Sequence, residues 1–142
     1  MKTEEIGVYM RNAFAFASLS KAIRHKVGAV LVTKQGVVIP GVNGTVSGTD
    51  NACEYVDQET GELITKPTVI HSELNCILKS AREGLSCLDA TLFVTLSPCL
   101  SCSAMIAQAG VKHVYYAEEY RVPDGIDFLK QCGVQVEKLS IL

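Results

Sequence analysis

Two short polar motifs constrain the fold of this chain more than any other feature. The first is HSE at residues 71–73, and the second is PCLSC at residues 98–102. Each motif stands at the start of a predicted helix, and one helix and one strand fill the 28 residues from His71 to Cys99. A crossover of this length brings two helix starts to the same edge of an α/β sheet. We therefore expect the two motifs to meet in space.

The rest of the chain alternates between strand and helix patterns. Apolar residues at spacings of three and four predict helices, and short β-branched runs predict strands. Ser97 is expected as the N-cap of the third helix, with Pro98 as its first helical residue. The predicted elements are helices at 3–23, 71–83, 97–110 and 125–132, strands at 27–33, 37–42, 90–96, 113–117 and 134–138, and a long loop at 44–67. This order predicts an α/β fold with helices on both faces of one mixed sheet, whose first hairpin is antiparallel.

Length and composition exclude several classes of protein. The chain has 142 residues, of which 48% are hydrophobic and 20% charged, so we expect one folded domain over 1–142 and not a disordered chain. The net charge of −2 weighs against a nucleic-acid polymer as the main partner, but not against a single nucleotide. No run is long and apolar enough to span a bilayer, and the first residues lack the pattern of a signal peptide. We expect a cytoplasmic protein, in the host cytoplasm if the protein is viral.

The second motif has the spacing of a metal site. Cys99 and Cys102 are three residues apart at a helix start, so both sulfurs lie on one face, where the helix dipole favours thiolates. His71 supplies a third donor. Three protein ligands leave the fourth position of a tetrahedral zinc site open for water, which is typical of catalytic zinc. Zinc lowers the pKa of such a water to about 7.

Glu73, two residues after His71, is placed to move protons at such a site. His-x-Glu followed by Pro-Cys-x-x-Cys is the signature of the zinc nucleobase deaminases, in which the Glu is a general acid/base and not a ligand. Two other interpretations stay open: a redox Cys-x-x-Cys pair, and a structural zinc with a fourth protein ligand. Candidates for that fourth ligand are Cys53, Cys76, Cys87, His25 and His113, and a second zinc at Cys53 would need partners that the sequence does not reveal. Cys76, Cys87 and Cys132 also fit ordinary packed thiols.

Motifs along almost the whole chain resemble the deoxycytidylate (dCMP) deaminases of the zinc-dependent cytidine deaminase superfamily, in particular those of phages. The matching segments are KVGAV at 26–30, GVNGT at 41–45, NACEY at 51–55, HSELN at 71–75 and TLSPCLSC at 95–102. The resemblance implies a three-layer α/β/α sandwich with a mixed five-stranded sheet. It also implies the conversion of dCMP and water to dUMP and ammonia, which feeds dTMP synthesis.

The same resemblance implies roles for individual residues. His71, Cys99 and Cys102 would hold zinc, and Glu73 would carry protons between the water, N3 of the base and the departing amine.

Around the substrate, the resemblance places Asn43 at the sugar hydroxyl, Tyr120 against the substrate, and Lys26 with Arg24 at the 5′-phosphate. Each of these residues also has an ordinary structural interpretation. Asn43 fits a turn, Tyr120 a packed loop aromatic, and the two basic residues solvated charges.

Regulation follows from the resemblance as well. It implies activation by dCTP with Mg²⁺, inhibition by dTTP, and a hexamer, with Gly41, Asn43 and Gly44 shaping the effector site. The sequence departs from the usual pattern of the family at a few positions. Ser72 stands between His and Glu where Ala is common, and Val42 replaces a common Tyr. Ala22 and Ala52 occupy positions where a second zinc would require cysteines.

Two other functions remain open. One is a deaminase acting on tRNA adenosine, single-stranded DNA or another cytosine substrate, which usually requires a basic and aromatic surface. The other is a non-catalytic nucleotide sensor, which the intact Glu73 argues against.

Overall fold

A mixed five-stranded sheet is the centre of the computed structural model, which describes residues 1–140. The elements, in chain order, are α1 (Thr3–Ala17), β1 (Gly28–Val32), β2 (Val38–Val42), β3 (Glu54–Val56), β4 (Leu63–Thr65), α2 (Ser72–Arg82), β5 (Thr91–Leu96), α3 (Leu100–Gln108), β6 (His113–Glu118), α4 (Asp124–Gln131) and β7 (Gln135–Lys138). The strand order is β2-β1-β5-β6-β7. Strand β1 runs antiparallel to β2 and β5, whereas β5, β6 and β7 are parallel. The predicted mixed sheet is confirmed.

Helices cover both faces of this sheet, so the three-layer architecture is confirmed too. Helix α1 packs on one face, where buried Met10 contacts a cluster containing Phe93 and Tyr115. The rings of Phe93 and Tyr115 stack with centroids 5.1 Å apart. Helices α2, α3 and α4 cover the other face, and Ile106 and Leu129 are fully buried in its core. Within residues 1–140, every helix is too short or too polar to cross a lipid bilayer.

The first helix ends earlier than predicted. It stops at Ala17 instead of residue 23, and the segment from 18 to 27 is irregular. The Ser18 hydroxyl donates to the Ala15 carbonyl at 2.6 Å, and the Ser20 hydroxyl bonds to Asn43, 23 residues away. Serine side chains that bond to nearby backbone or to a distant partner weaken the helix at this point.

The predicted long loop contains a second, smaller sheet. Strands β3 and β4 pair antiparallel, and a turn between them brings the Asp57 carboxylate onto the Glu59 N–H at 3.0 Å. Gly61 closes the turn with a φ of 74°. The prediction of a long loop over 44–67 did not include this hairpin, because the polar composition concealed two three-residue strands.

The third helix begins two residues later than predicted. Its N-cap is Cys99, not Ser97, and Pro98 is not helical. The Ser97 hydroxyl instead accepts a hydrogen bond from the Tyr120 N–H at 2.6 Å. This long-range bond joins the end of β5 to the loop after β6.

Candidate active site

The two polar motifs meet at the starts of α2 and α3, as expected. His71 is the N-cap of α2, Cys99 is the N-cap of α3, and Cys102 lies in the first turn of α3. The Nδ1 atom of His71 lies 3.2 Å from the Cys102 sulfur and 3.7 Å from the Cys99 sulfur. All three donor atoms lie within 4.8 Å of one another.

This donor set fits zinc. A tetrahedral zinc ion separates a nitrogen ligand from a sulfur ligand by about 3.6 Å, and the two measured N–S distances of 3.2 and 3.7 Å lie on either side of that value. The cluster has three members among the described residues, and none of the fourth-ligand candidates belongs to it. An arrangement with three protein ligands favours a catalytic zinc over a structural one.

The two thiols at the start of α3, Cys99 and Cys102, have pKa values that are shifted in opposite directions. Hydrogen bonds from the Cys102 thiol and from His71 lower the pKa of Cys99 to about 3. The pKa of Cys102 is raised, because it donates to Cys99 and because it is buried. One thiolate is therefore already stabilised, which prepares the pair for a soft divalent cation.

Glu73 lies beside the cluster in the first turn of α2. Its side chain is 4% exposed, and the Ser72 hydroxyl donates to its Oε2 at 3.0 Å. Burial raises the pKa of this carboxyl. A buried carboxyl with a raised pKa next to a metal site is a typical general acid/base.

The cluster opens into a cavity of about 420 Å³. Its wall contains Glu54, which is nine-tenths buried, and three charged or aromatic residues from the loop after β6, namely Glu119, Tyr120 and Arg121. The full lining is Ala22, Arg24, His25, Val27, Asn43, Cys53, Glu54, Thr65, Val69, His71, Ser72, Glu73, Leu96, Ser97, Cys99, Glu119, Tyr120 and Arg121. The cavity has the size of a small-molecule site. It combines a metal-ligand cluster with basic and acidic side chains.

Asn43 lies in the cavity wall and also holds the loop after α1. Its Oδ1 accepts hydrogen bonds from the Ser20 hydroxyl at 2.7 Å and from the Val27 N–H at 2.9 Å. Its Nδ2 donates to the His25 carbonyl at 2.8 Å. An amide nitrogen has two hydrogens, so one N–H remains for a ligand. The turn interpretation and the binding interpretation of Asn43 are therefore compatible.

Of the two basic residues predicted near the phosphate, Arg24 lines the cavity and Lys26 does not. Lys26 is exposed and lies outside the cavity lining, whereas Arg24 and Arg121 line it. The Arg24 guanidinium donates to the Thr65 hydroxyl at 3.1 Å. Arg121 was missed at the sequence level, although it directly follows Tyr120, which was singled out and which also lines the cavity.

Gly41 and Gly44 have different surroundings. A Cβ on Gly41 would lie 2.4 Å from the Ser72 carbonyl oxygen and 2.8 Å from the Cys76 sulfur. Gly41 therefore allows β2 to approach the first turn of α2. Gly44 pairs with Ile70 through two backbone hydrogen bonds, and nothing lies within 4 Å of the Cβ position. An effector role for either residue stays a prediction.

All six cysteines are free thiols. Cys76 and Cys87 are buried as expected, and burial raises the pKa of Cys76 to about 12. Cys53 is buried at the cavity wall. Cys132 is exposed, so its prediction as a packed thiol was wrong. It is the C-cap residue that directly follows the last helical residue of α4.

Comparison with known proteins decides the family. Residues 3–118 match the family described as the cytidine and deoxycytidylate deaminase zinc-binding region. The chain belongs to this deaminase family. The match includes the His71 and Cys99 motifs, and it confirms the resemblance inferred from the sequence. The enzyme is thus a zinc-dependent hydrolase.

Individual relatives of this deaminase include phage and cellular proteins. The deoxycytidylate deaminase of Enterobacteria phage T4 is 32% identical over 163 residues, covering 87% of this chain and 84% of the relative. ComE operon protein 2 of Bacillus subtilis is 33% identical over 138 residues, covering 94% of this chain and 70% of the relative.

Solved structures of related proteins support the assignment of the chain to the deaminase family. The dCMP deaminase of cyanophage S-TIM5, in complex with dCMP and dUMP, superposes with a TM-score of 0.88 and 48% identity, covering 98% of this deaminase and 99% of that chain. A more distant relative, a tRNA:A34 deaminase, superposes with a TM-score of 0.64 and 26% identity, covering 95% of this chain and 99% of the other. The fold class predicted from the sequence is confirmed.

Proposed function

We propose that this enzyme hydrolyses the 4-amino group of dCMP, giving dUMP and ammonia for dTMP synthesis. The observation that carries the proposal is that Glu73, His71 and Cys99 lie in the wall of one nucleotide-sized cavity that also holds two arginines. Cys102 completes the donor cluster with His71 and Cys99. The likeness to a cyanophage dCMP deaminase with dCMP and dUMP bound supports the choice of substrate.

His71, Cys99 and Cys102 would hold the zinc ion. Bound zinc would supply a Lewis acid that makes water nucleophilic at neutral pH. Glu73 would take a proton from that water and deliver it to N3 of the cytosine as the oxygen adds to C4. Glu73 would then take the remaining proton from the oxygen added to C4 and deliver it to the 4-amino nitrogen as the C4–N bond breaks, so that ammonia leaves and the C4 carbonyl forms. Burial of Glu73 favours this role because it raises the affinity of the carboxyl for a proton.

The other end of the cavity would hold the sugar and the phosphate. Arg24 and Arg121 offer planar guanidinium groups that match a phosphate, and both line the cavity. Lys26, predicted for this role, is less well placed because it lies outside the lining. Tyr120 would contact the nucleotide from the same loop as Arg121. Asn43 would offer its remaining amide N–H to the sugar.

The regulatory part of the proposal rests on the family resemblance. Residues 1–142 would form one catalytic domain that assembles as a hexamer, with dCTP and Mg²⁺ activating and dTTP inhibiting. Gly41, Asn43 and Gly44 would shape the effector site. Because Gly41 packs on the first turn of α2, a shift of this loop would reach His71 and Glu73 directly.

The decisive experiment is release of ammonia and dUMP from dCMP by the zinc-loaded enzyme, with and without dCTP–Mg²⁺. We expect turnover by the wild type, and a loss of about 10²- to 10⁴-fold in Glu73→Gln, because that variant cannot relay protons. Zinc content should stay unchanged in Glu73→Gln. Stimulation by dCTP would support the regulatory part.

Absence of turnover from correctly folded, zinc-loaded wild type, with and without dCTP–Mg²⁺, would contradict dCMP as the substrate. The same protein would then be assayed on tRNA adenosine and on other cytosine substrates. Polymer binding that weakens steeply with salt would favour that alternative.

A further inference from the structure

Ser72 is a fully buried serine between the proposed metal ligand His71 and the proposed proton carrier Glu73. It belongs to the cavity wall, and the proposed reaction assigns no role to it. Its hydroxyl donates to the Glu73 Oε2 at 3.0 Å. Ala, the common residue of the family at this position, has no hydroxyl, so this hydrogen bond distinguishes the present chain from relatives with Ala.

A second fully buried serine in the same helix shows what an ordinary buried hydroxyl does. Ser80 donates to the Cys76 carbonyl, one turn earlier in α2, at 2.9 Å. Serine hydroxyls in helix interiors commonly bond to the backbone of the preceding turn in this way. Ser72 is the first helical residue of α2, so no earlier helical turn offers it a carbonyl. Its hydroxyl bonds to the neighbouring carboxylate instead.

The bond from Ser72 matters most in the zinc-loaded site. The thiol of Cys102 is a second side-chain donor to the Glu73 carboxyl. A cysteine binds zinc as its thiolate, so Cys102 has no proton to donate when it is a ligand. Ser72 is not a member of the donor cluster and keeps its hydroxyl. Of these two side-chain donors to Glu73, the Ser72 hydroxyl is the one that remains.

Fixing one carboxylate oxygen gives the two oxygens of Glu73 different tasks. The terminal torsion of a glutamate is broad, so an unrestrained carboxylate can present either oxygen to the reacting atoms. With Oε2 held by the Ser72 hydroxyl, Oε1 is the oxygen available to take a proton from the water and to deliver it to the base. Proton transfer requires heavy atoms within about 2.6–3.2 Å of each other, so a carboxylate held in one orientation is more effective than one that rotates.

We propose that Ser72 is a positioning residue that holds the Glu73 carboxylate in one orientation for proton transfer. The inference rests on the proposed function and deepens it, since it concerns how the same site moves protons. Ser72 acts through Glu73 and does not contribute to the binding of the nucleotide.

Ser72→Ala tests the inference with little change in shape, because it removes one oxygen atom and introduces a good helix former. We expect kcat for dCMP to fall by about 3- to 10-fold, the effect of one hydrogen bond. KM should stay within about twofold, because the lost interaction acts in the transition state and not in binding. Zinc content and the affinity for dUMP, measured by metal analysis and calorimetry, should be unchanged. Ser80→Ala is the matched control, since it removes a buried hydroxyl from the same helix and should keep the wild-type kcat.

A double-mutant cycle with Glu73→Gln separates positioning from a purely structural role. In the Glu73→Gln background, Ser72→Ala should lower the residual activity by less than about twofold, because the carboxylate through which it acts is gone. A structural role would lower that residual activity by the same factor as in the wild type. Crystals of the zinc-loaded protein should show the Glu73 carboxylate in one orientation in the wild type and in more than one in Ser72→Ala.

The inference fails if kcat of Ser72→Ala equals that of the wild type, if KM rises while kcat is kept, or if the two losses add in full in the double variant. A wild type that releases no ammonia from dCMP would instead overturn the proposed function, and this inference with it.

Discussion

At the scale of single residues, the site is built from side chains whose position depends on where helices begin. His71 and Cys99 are both N-caps, so each lies just before the first helical residue, at the positive end of a helix dipole. The motif spacing revealed these residues because their relation is local. The charged residues of the cavity wall are not related locally, and there the sequence pointed to Lys26, which lies outside the lining, and did not single out Arg121 or Glu54, which lie in it.

Phosphate recognition gives a prediction at this scale. Arg24→Ala and Arg121→Ala should each lower kcat/KM for dCMP by about 10- to 100-fold, because each removes a charged hydrogen-bond donor. Activity on deoxycytidine, which has no phosphate, should change little. Steady-state kinetics with both substrates measures the effect. Lys26→Ala is the matched comparison. A larger loss of kcat/KM in Lys26→Ala than in either arginine variant would support Lys26 as the phosphate ligand and contradict the assignment to the two arginines.

At the scale of elements, the close packing of β2 on α2 places the reacting groups. Gly41 meets the Ser72 carbonyl at the first turn of the helix that begins after His71 and carries Glu73. The Asn75 side chain adds a hydrogen bond to the Val42 carbonyl at 2.6 Å, and Lys79 adds one to the Pro40 carbonyl at 2.8 Å. The edge strand and the helix therefore act as one unit.

Gly41→Ala tests this packing. Its Cβ would meet backbone at 2.4 Å, and we expect a loss of about 1–3 kcal/mol of stability, as for overpacking of a core. Zinc affinity and kcat should fall with it, because the start of α2 has to move. Thermal unfolding and metal analysis measure both effects. Gly44→Ala, where the Cβ position is open, is the control, and equal unfolding temperatures for the two variants would contradict the argument.

At the scale of the whole molecule, the metal site joins α2 and α3, two helices that are separated in the sequence by strand β5. A ligand that binds only the folded state stabilises it, by about 4 kcal/mol when its concentration is a thousand times the dissociation constant. Zinc held by His71 from α2 and by two cysteines from α3 would therefore stabilise the packing of both helices on the sheet.

Metal removal should lower the unfolding temperature. We expect a decrease on the order of 10 °C after chelation, since each kcal/mol corresponds to about 2–4 °C in a chain of this size. Adding zinc back should restore it. In Cys99→Ala the difference between zinc-loaded and chelated protein should shrink, whereas in Cys132→Ala, an exposed thiol outside the site, it should persist. Calorimetry with and without zinc makes the measurement, and an unfolding temperature independent of zinc in the wild type would argue against the site.

The sequence alone determined the order of the four helices and the five strands of the main sheet, the mixed character of that sheet and the meeting of the His71 and Cys99 motifs. These follow from residue periodicity and from the limited number of ways to connect strands and helices. The tertiary structure decided where α1 ends, that residues 54–65 form a hairpin, and which charges line the cavity. Ser20 bonds to Asn43, and Glu54 bonds to Ile23, across more than twenty residues. Such bonds depend on which segments the folded core brings together, and no local pattern in the sequence encodes that.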